Sequence, residues 1–461
     1  MIKLKIKKYI FCLLLTSILV QPVTAEVLSP YSNSELDQLE KEFVQQINLS
    51  DSVDRNPLAK QYINRIGKNL AQQGHIKTPD FFIVKSNEIN AFAGPGGHIG
   101  INTQLILITS NESELAGVMA HEIAHVRLHH LYSAIEHQRQ MRIPMLASML
   151  ASIALGVINP TVGMGAMMGS LTGFSQDNIN FTRSKEKEAD RIGIDMLIKA
   201  GFNPHSMAAF FQKMQENSRY YYTANIPAIL RTHPIDSDRI AEAQNRTTRF
   251  VKKYYPNSPE YALVKEIIRT DVARDPRSLQ EYYEHQCHRT NPVSACQYGL
   301  ALNYINTNNF TKARDILNPL LAQNNNLYFQ IAMAQVETGL SQYQAAITRM
   351  AEIQKNYPDN YAVLMAYTQT LLAADQNEKA TSILLKGSRQ YKQDLPLCRE
   401  LARAQAKSNQ KGYAYFTQAQ CLLLEGQKRA AVAQLKVART LAKNDEYLQA
   451  RISAKIEEIM N

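Results

Sequence analysis

The chain has 461 residues, 45% of them hydrophobic and 20% charged, with 19 glycines and 17 prolines. That length exceeds one ordinary core, so two or more domains are expected, and the composition excludes a largely disordered chain, a collagen and a multi-spanning membrane protein. The formal charge is +10, from 51 Lys and Arg against 41 Asp and Glu, but four of the lysines (Lys3, Lys5, Lys7, Lys8) fall in the first 25 residues. What remains is spread along the chain, and no nucleic-acid partner is expected from it.

Met1 to Lys8 is basic, Tyr9 to Val20 is almost wholly apolar, and Val23-Thr24-Ala25 supplies small residues before Glu26. This three-part pattern predicts a signal peptide over residues 1–25, cleaved after Ala25, and an exported mature chain. The alternative is an uncleaved anchor. Cys12 lacks preceding small residues, so no lipoprotein site is expected there.

Residues 26–75 read as helices, one opened by Ser34-Glu35 and a second by Asn56-Pro57 running to about Leu70. Asp80-Phe-Phe-Ile-Val-Lys85 reads as a strand. Asn90 to Ile101 follows, with a turn at Pro95-Gly96-Gly97 that leads into an alternating apolar strand. Asn111 predicts a helix N-cap with Glu114 in capping-box position, and that helix is expected to run through His121 and His125 to about His137.

Residues 143–176 carry no charge and, with Met141 at the edge, hold six of the fifteen methionines. The best apolar block there, Met145 to Ile158, is shorter than a membrane span. Buried helical packing and an apolar lid or membrane-touching segment both remain open. A helix is expected over Ser184 to Ala200, ended by Gly201, with Asn203-Pro204 starting another.

Beyond about residue 256 the texture becomes helical throughout. Ala313, Ala346, Ala380 and Ala414 are spaced 33, 34 and 34 residues apart, each followed at four and seven by Leu317/Leu320, Met350/Ile353, Leu384/Gly387 and the poorer Gln418/Cys421. This period resembles tetratricopeptide repeats, although the consensus Trp is missing. Cys287, Cys296, Cys398 and Cys421 lie in this part. An oxidising compartment permits two disulfides, and loop length favours 287 with 296 and 398 with 421. Buried free thiols are the alternative. A cysteine zinc site is disfavoured because no C-x-x-C occurs.

The chemistry centres on His121-Glu122-Ile123-Ala124-His125, an H-E-x-x-H pattern. Two imidazoles four residues apart on a helix share a face and can bind one metal, with Glu122 reaching a metal-activated water. A zinc ion brings that water's pKa to about 7, so a carboxylate can take its proton as it attacks a peptide carbonyl. His129 is too far along a straight helix to bind together with His121, and His129 and His130 are taken as surface residues or as supports of the ligands. A third protein ligand is needed. Leu128 and Glu136 stand where an extended motif would have Gly and His, so Glu186-Lys187-Glu188-Ala189-Asp190 is the better source. Glu186 and Asp190 share a face, so Glu186 can ligate while Asp190 hydrogen-bonds a ligating His. Spacing alone does not separate that from an exposed charge run.

H-E-x-x-H followed by E-x-x-A-D, with N-A-F-A-x-P-G-G upstream, resembles the zinc metalloproteases related to HtpX and to the CAAX prenyl endopeptidase. The resemblance covers residues 80–245. With the signal peptide and repeats, it points to the soluble periplasmic branch of that group. It implies a mainly α chain. A zincin-like α+β metalloprotease domain with a small sheet (26–255) would precede a tetratricopeptide-repeat solenoid (256–461). It implies one Zn²⁺ held by His121, His125 and Glu186, Glu122 as general base and Asp190 as an assisting or orienting group. Thr232-His233-Pro234 resembles a His-Pro element of the family, so His233 either stabilises the oxyanion or occupies the open zinc position and holds the enzyme latent.

The strand after Ala93-Gly-Pro-Gly-Gly97 offers an edge to an extended peptide. The implied substrates are misfolded or stalled outer-membrane proteins, and the implied partner of the repeats is the outer-membrane assembly complex. The alternative function is a chaperone or scaffold with a largely latent protease.

Overall fold

The structure is a computed structural model describing residues 33–134, 176–218, 227–287 and 292–460. The expected signal peptide and, but for Gln176, the apolar 143–176 segment lie outside the described residues.

Helix α1 (Asn33–Leu49) and strand β1 (Val53–Asp54) precede α2 (Pro57–Gln73). Asn56 caps α2, its side chain accepting from Leu58 N and Ala59 N, and Pro57 takes the first turn, where it forfeits no helical hydrogen bond. Strands β2 (Phe81–Val84), β3 (Ala91–Ala93) and β4 (Ile99–Asn102) complete a four-stranded sheet in the order β1-β2-β4-β3. β2 and β4 run parallel, Phe81 opposite Ile99, while β1 and β3 are antiparallel edges. All four residues of β2 are buried because helices cover both faces. Phe81 and Ile83 enter the main core; Phe82 and Val84 pack with Phe43 of α1. β1 and the short α3 (Thr103–Ile108) are additions that the hydrophobic pattern does not announce.

α4 (Glu112–Arg127) is crossed by α5 (Gln176–Lys199), which ends at Gly201, φ +84°. Gly193 sets their closeness: a Cβ there would lie 3.1 Å from the His121 amide nitrogen. α6 (Ser206–Ser218), α7 (Ala228–Thr232) and α8 (Ser237–Thr247) close this region over α4 and α5.

Twelve described helices follow. They are α9 (Pro259–Val272), α10 (Pro276–Gln286), α11 (Val293–Asn306), α12 (Phe310–Gln323), α13 (Leu327–Gly339), α14 (Tyr343–Asn356), α15 (Tyr361–Ala373), α16 (Asn377–Gln390), α17 (Leu395–Lys407), α18 (Lys411–Leu424), α19 (Lys428–Leu441) and α20 (Glu446–Met460). The spaced alanines stand fourth in α12, α14, α16 and α18, all buried. Each of these helices follows a left-handed residue (Asn308, Ser341, Asp375, Asn409), the turn that reverses the chain between repeats.

After α18 the frame slips. Gly426, φ +75°, repeats that turn one helix early, and Ala431, Leu435 and Ala438 of α19 supply the buried triplet, whereas Gln418 is exposed. Disulfides join Cys287 to Cys296 and Cys398 to Cys421, the expected pairs.

The array folds back on α2. Lys60 pairs with Asp394 at 3.1 Å, Ala362 N donates to Gln61 Oε1, and one apolar core runs from Leu58 to Ala404. No helix of the described residues is long and apolar enough to cross a membrane.

Candidate metal centre

α4 is buried along nearly its whole length, from Glu112 to Ala124, as its apolar composition requires of a helix surrounded by protein. Asn111 Oδ1 accepts from Glu114 N at 3.0 Å. Glu114 reaches back to Ser110 N rather than to the cap residue itself, the expected box displaced by one position. Two turns on, His121 and His125 share a face, their Nε2 atoms 3.0 Å apart.

α5 brings the carboxylates. Glu186, 3% exposed, places Oε2 3.3 Å from His121 Nε2 and Oε1 3.4 Å from His125 Nε2. Asp190, one turn later, lies 2.9 Å from His121 Nδ1, on the far side of the ring, where an acceptor fixes orientation and tautomer. Glu188 faces away, 3.5 Å from His130 Nε2. From the turn after α7, His233 Nδ1 comes within 3.1 Å of both Glu186 oxygens and 3.3 Å from His121 Nε2. One donor atom each from His121, His125, Glu186 and His233 lies within 4.8 Å of the others.

Two further groups support the ligands, the first of them unmarked in the sequence. Arg239 of α8, 1% exposed, holds Asp190 with Nε and Nη2 at 2.7 and 2.8 Å. Its Nη1 lies 3.0 Å from Glu186 Oε2 and donates to Pro234 O at 2.7 Å. Such a bidentate fork is the strongest geometry a guanidinium offers a carboxylate. The available signal was helical phase: Arg239, Ala243 and Thr247 form one buried stripe of α8.

His130 is the second. The helix expected to reach His137 ends at Arg127, because His129 adopts φ +52° and turns the chain. His129 is exposed, whereas His130 is buried and sets Nδ1 3.0 Å from His125 Nδ1. It therefore supports a ligand rather than lying on the surface.

Burial works against charge throughout the site, and the partners decide which charges survive. On His121 it is overcome by Asp190 and Glu186, which push the imidazolium up to about 10. On His125 burial prevails over Glu186 and holds the ring well below its ordinary value. Burial would raise the Glu186 carboxyl, but His233 and His125 keep it well below its ordinary range. Asp190 is lowered by His121 and Arg239 against its own burial.

The site thus carries three buried carboxylates (Glu122, Glu186, Asp190) and one permanent buried cation, Arg239. The His121 imidazolium offsets part of this; with the imidazoles neutral, as ligands must be, the excess is two negative charges, which fits a divalent metal with N and O ligands. Glu122 agrees with this. It is 1% exposed, neither of its oxygens accepts a hydrogen bond among the described residues, and the nearest cationic group is His233 Nε2 at 3.4 Å. A carboxylate so placed is costly unless water or a metal-held group completes its surroundings.

Residues 57–247 match peptidase family M48. The beta-barrel assembly-enhancing protease of Yersinia pestis is 32% identical over 422 residues, covering 90% of this chain and 86% of that one. The protein of the same name from Escherichia coli (strain K12) is 32% identical over 424 residues, with the same shares of 90% and 86%. The mitochondrial metalloendopeptidase OMA1 of Bos taurus is 28% identical over 162 residues, 34% of this chain and 30% of that one.

Proposed function

Since the chain belongs to peptidase family M48, among the beta-barrel assembly-enhancing proteases, and is a metallopeptidase, we propose that it is an exported, periplasmic zinc endopeptidase. It acts on misfolded or stalled outer-membrane proteins and assists their assembly. Residues 26–255 form the peptidase, and the repeats of 256–461 bind clients and the outer-membrane assembly machinery. Repeat arrays suit this because they expose long surfaces to extended or folded partners.

The observation that carries the reading is the convergence of His121, His125, Glu186 and His233 beside the unsatisfied Glu122 carboxylate. His121, His125 and Glu186 hold the metal, one per chain, as Zn²⁺. When bound, the ion supplies Lewis acidity to water and to the peptide carbonyl. Glu122 takes the proton of the attacking water and delivers it to the leaving amine. Asp190, itself clamped by Arg239, keeps His121 in the tautomer that presents Nε2. The strand after Gly97, expected to offer an edge, is β4 and is paired on both sides, by β2 and β3; the open edge is β3 instead, packed beside α4, and it offers main-chain hydrogen bonds to an extended substrate.

Metal analysis is expected to find one zinc per purified chain, with His125→Ala and Glu186→Gln losing about tenfold or more in metal affinity. Casein cleavage should fall to background with chelator. Metal-free active enzyme would end the assignment.

His233 supports a latent resting form. Its Nδ1 is a fourth donor at the cluster and would compete with water for a metal held by the other three. His233→Ala is expected to raise casein turnover about tenfold by removing that competitor. Unchanged turnover together with unchanged metal coordination would remove the role. The same feature favours the second reading, a scaffold with a quiet protease. Under that reading Glu122→Gln restores outer-membrane integrity to a deletion strain as well as the wild-type gene does.

A further inference from the structure

Away from the metal, a cavity of about 110 Å³ lies between the start of α2 and the alternate helices α9, α11, α13 and α15. Asp271 of α9 lines it, accepting a hydrogen bond from Asn56 Nδ2 at 3.2 Å. Asp54 holds the other side of Asn56, its Oδ1 accepting from Asn56 N at 2.8 Å. It is 5% exposed, and its Oδ2 has no hydrogen-bond partner among the described residues. Among those residues neither carboxylate has a basic side chain in ion-pair contact. Burial first, then the Asp54 charge, push the Asp271 carboxyl up to about 7, against Lys85 and the Asn56 hydrogen bond. Two acids held together without a cation are a standing electrostatic cost, and a positive group entering the cavity would relieve it.

The walls identify the cation. Leu302 and Ile331 are aliphatic, while Gln335 and Gln369 carry amides. A bare divalent ion would find a single carboxylate, Asp271, among the lining side chains, and the one group of three or more His, Cys, Asp or Glu side chains placed to share a metal among the described residues is at the peptidase centre. The volume is below that of a cofactor pocket, typically about 300–1,000 Å³. An apolar stem with a charged tip matches the lining, and lysine and arginine have that build. Most of the lining comes from helices of the repeat half, where the proposed function already puts clients.

We propose that this cavity binds a lysine or arginine side chain of a client polypeptide, with Asp271 facing its charge. The proposal rests on the reading that the repeat half recruits clients.

Overlapping peptides of an unfolded β-barrel porin, offered to the full-length metal-loaded Glu122→Gln protein so that none is cleaved, test it. The affinity of each binder is then measured with its basic residues changed singly to norleucine or citrulline. One such change is expected to weaken binding by at least about tenfold in the parent and by less than about twofold once Asp271→Asn is added. If no basic position behaves so, the cavity proposal fails while client recruitment stands. If no peptide binds at all, both fail.

Asp271→Asn folds, by the same electrostatics. A carboxyl whose folded pKa exceeds its unfolded value costs stability as pH rises from the unfolded value to the folded one, and the cost is complete above it. The variant should therefore melt above the parent at pH 8 and level with it at pH 4. A lower melting point at pH 8 would contradict the picture of an uncompensated acid.

Discussion

Glu122→Gln is expected to lower kcat on casein by about 10³-fold while leaving metal content and KM at wild-type values, because it removes a proton carrier and, besides that, only the charge facing His233. The carboxamide has the shape of the carboxylate, so no void opens in a position that is 1% exposed. None of the four converging donor atoms belongs to Glu122, so the metal has no reason to leave. The native oxygens accept no hydrogen bonds among the described residues, so no network is broken. Kinetics and metal analysis on one preparation check this. Activity above a tenth of wild type would mean that another group moves the proton. Loss of metal would mean that Glu122 is a ligand.

The second large effect is structural. Arg239→Met should destabilise the protein by about 3–5 kcal/mol, since it leaves Asp190 and Glu186 as buried acids without their cation. At 1% exposure the guanidinium has no bulk water to soften the loss. Metal affinity should fall about 10- to 100-fold with it, because Asp190 loses the fork that aims it at His121. Arg239→Lys should recover little, a point charge replacing two parallel hydrogen bonds. Urea unfolding at pH 7, with and without zinc, reads both quantities. A variant within 1 kcal/mol of wild type would show that the two acids find other compensation. Adding Asp190→Asn should relieve part of the loss, as the second substitution removes one of the orphaned charges.

The metal-binding pattern on α4 could be read in advance because a helix converts sequence spacing directly into shared direction: His121 and His125 had to face the same way. Glu186 and Asp190 were legible for the same reason, but their distance from the histidines was not. That depends on Gly193 admitting α5 against α4, a tertiary fact. Nothing in its residue type sets Arg239 apart from the other cations; the docking of α8, which buries its stripe, does. His130 stood between surface and support because the left-handed turn at His129, which residue type does not announce, decides between them. The repeats showed through a missing consensus because each helix pair buries the same positions. The poor fit at Gln418 marked a real change, the slip of frame at Gly426. The pairing of the four cysteines followed from loop length, since nearest neighbours in sequence fall on adjacent packed elements.

The shared core has a practical bearing on dissection. Tyr62 of α2 donates to Glu112 at the head of α4, and the same carboxylate accepts from Ser258 just ahead of α9. A truncation ending near residue 255 would strip Ser258 from that junction and uncover the flank of α2. An isolated peptidase half is then expected to be poorly soluble, and its silence in an assay would report lost cover rather than lost chemistry.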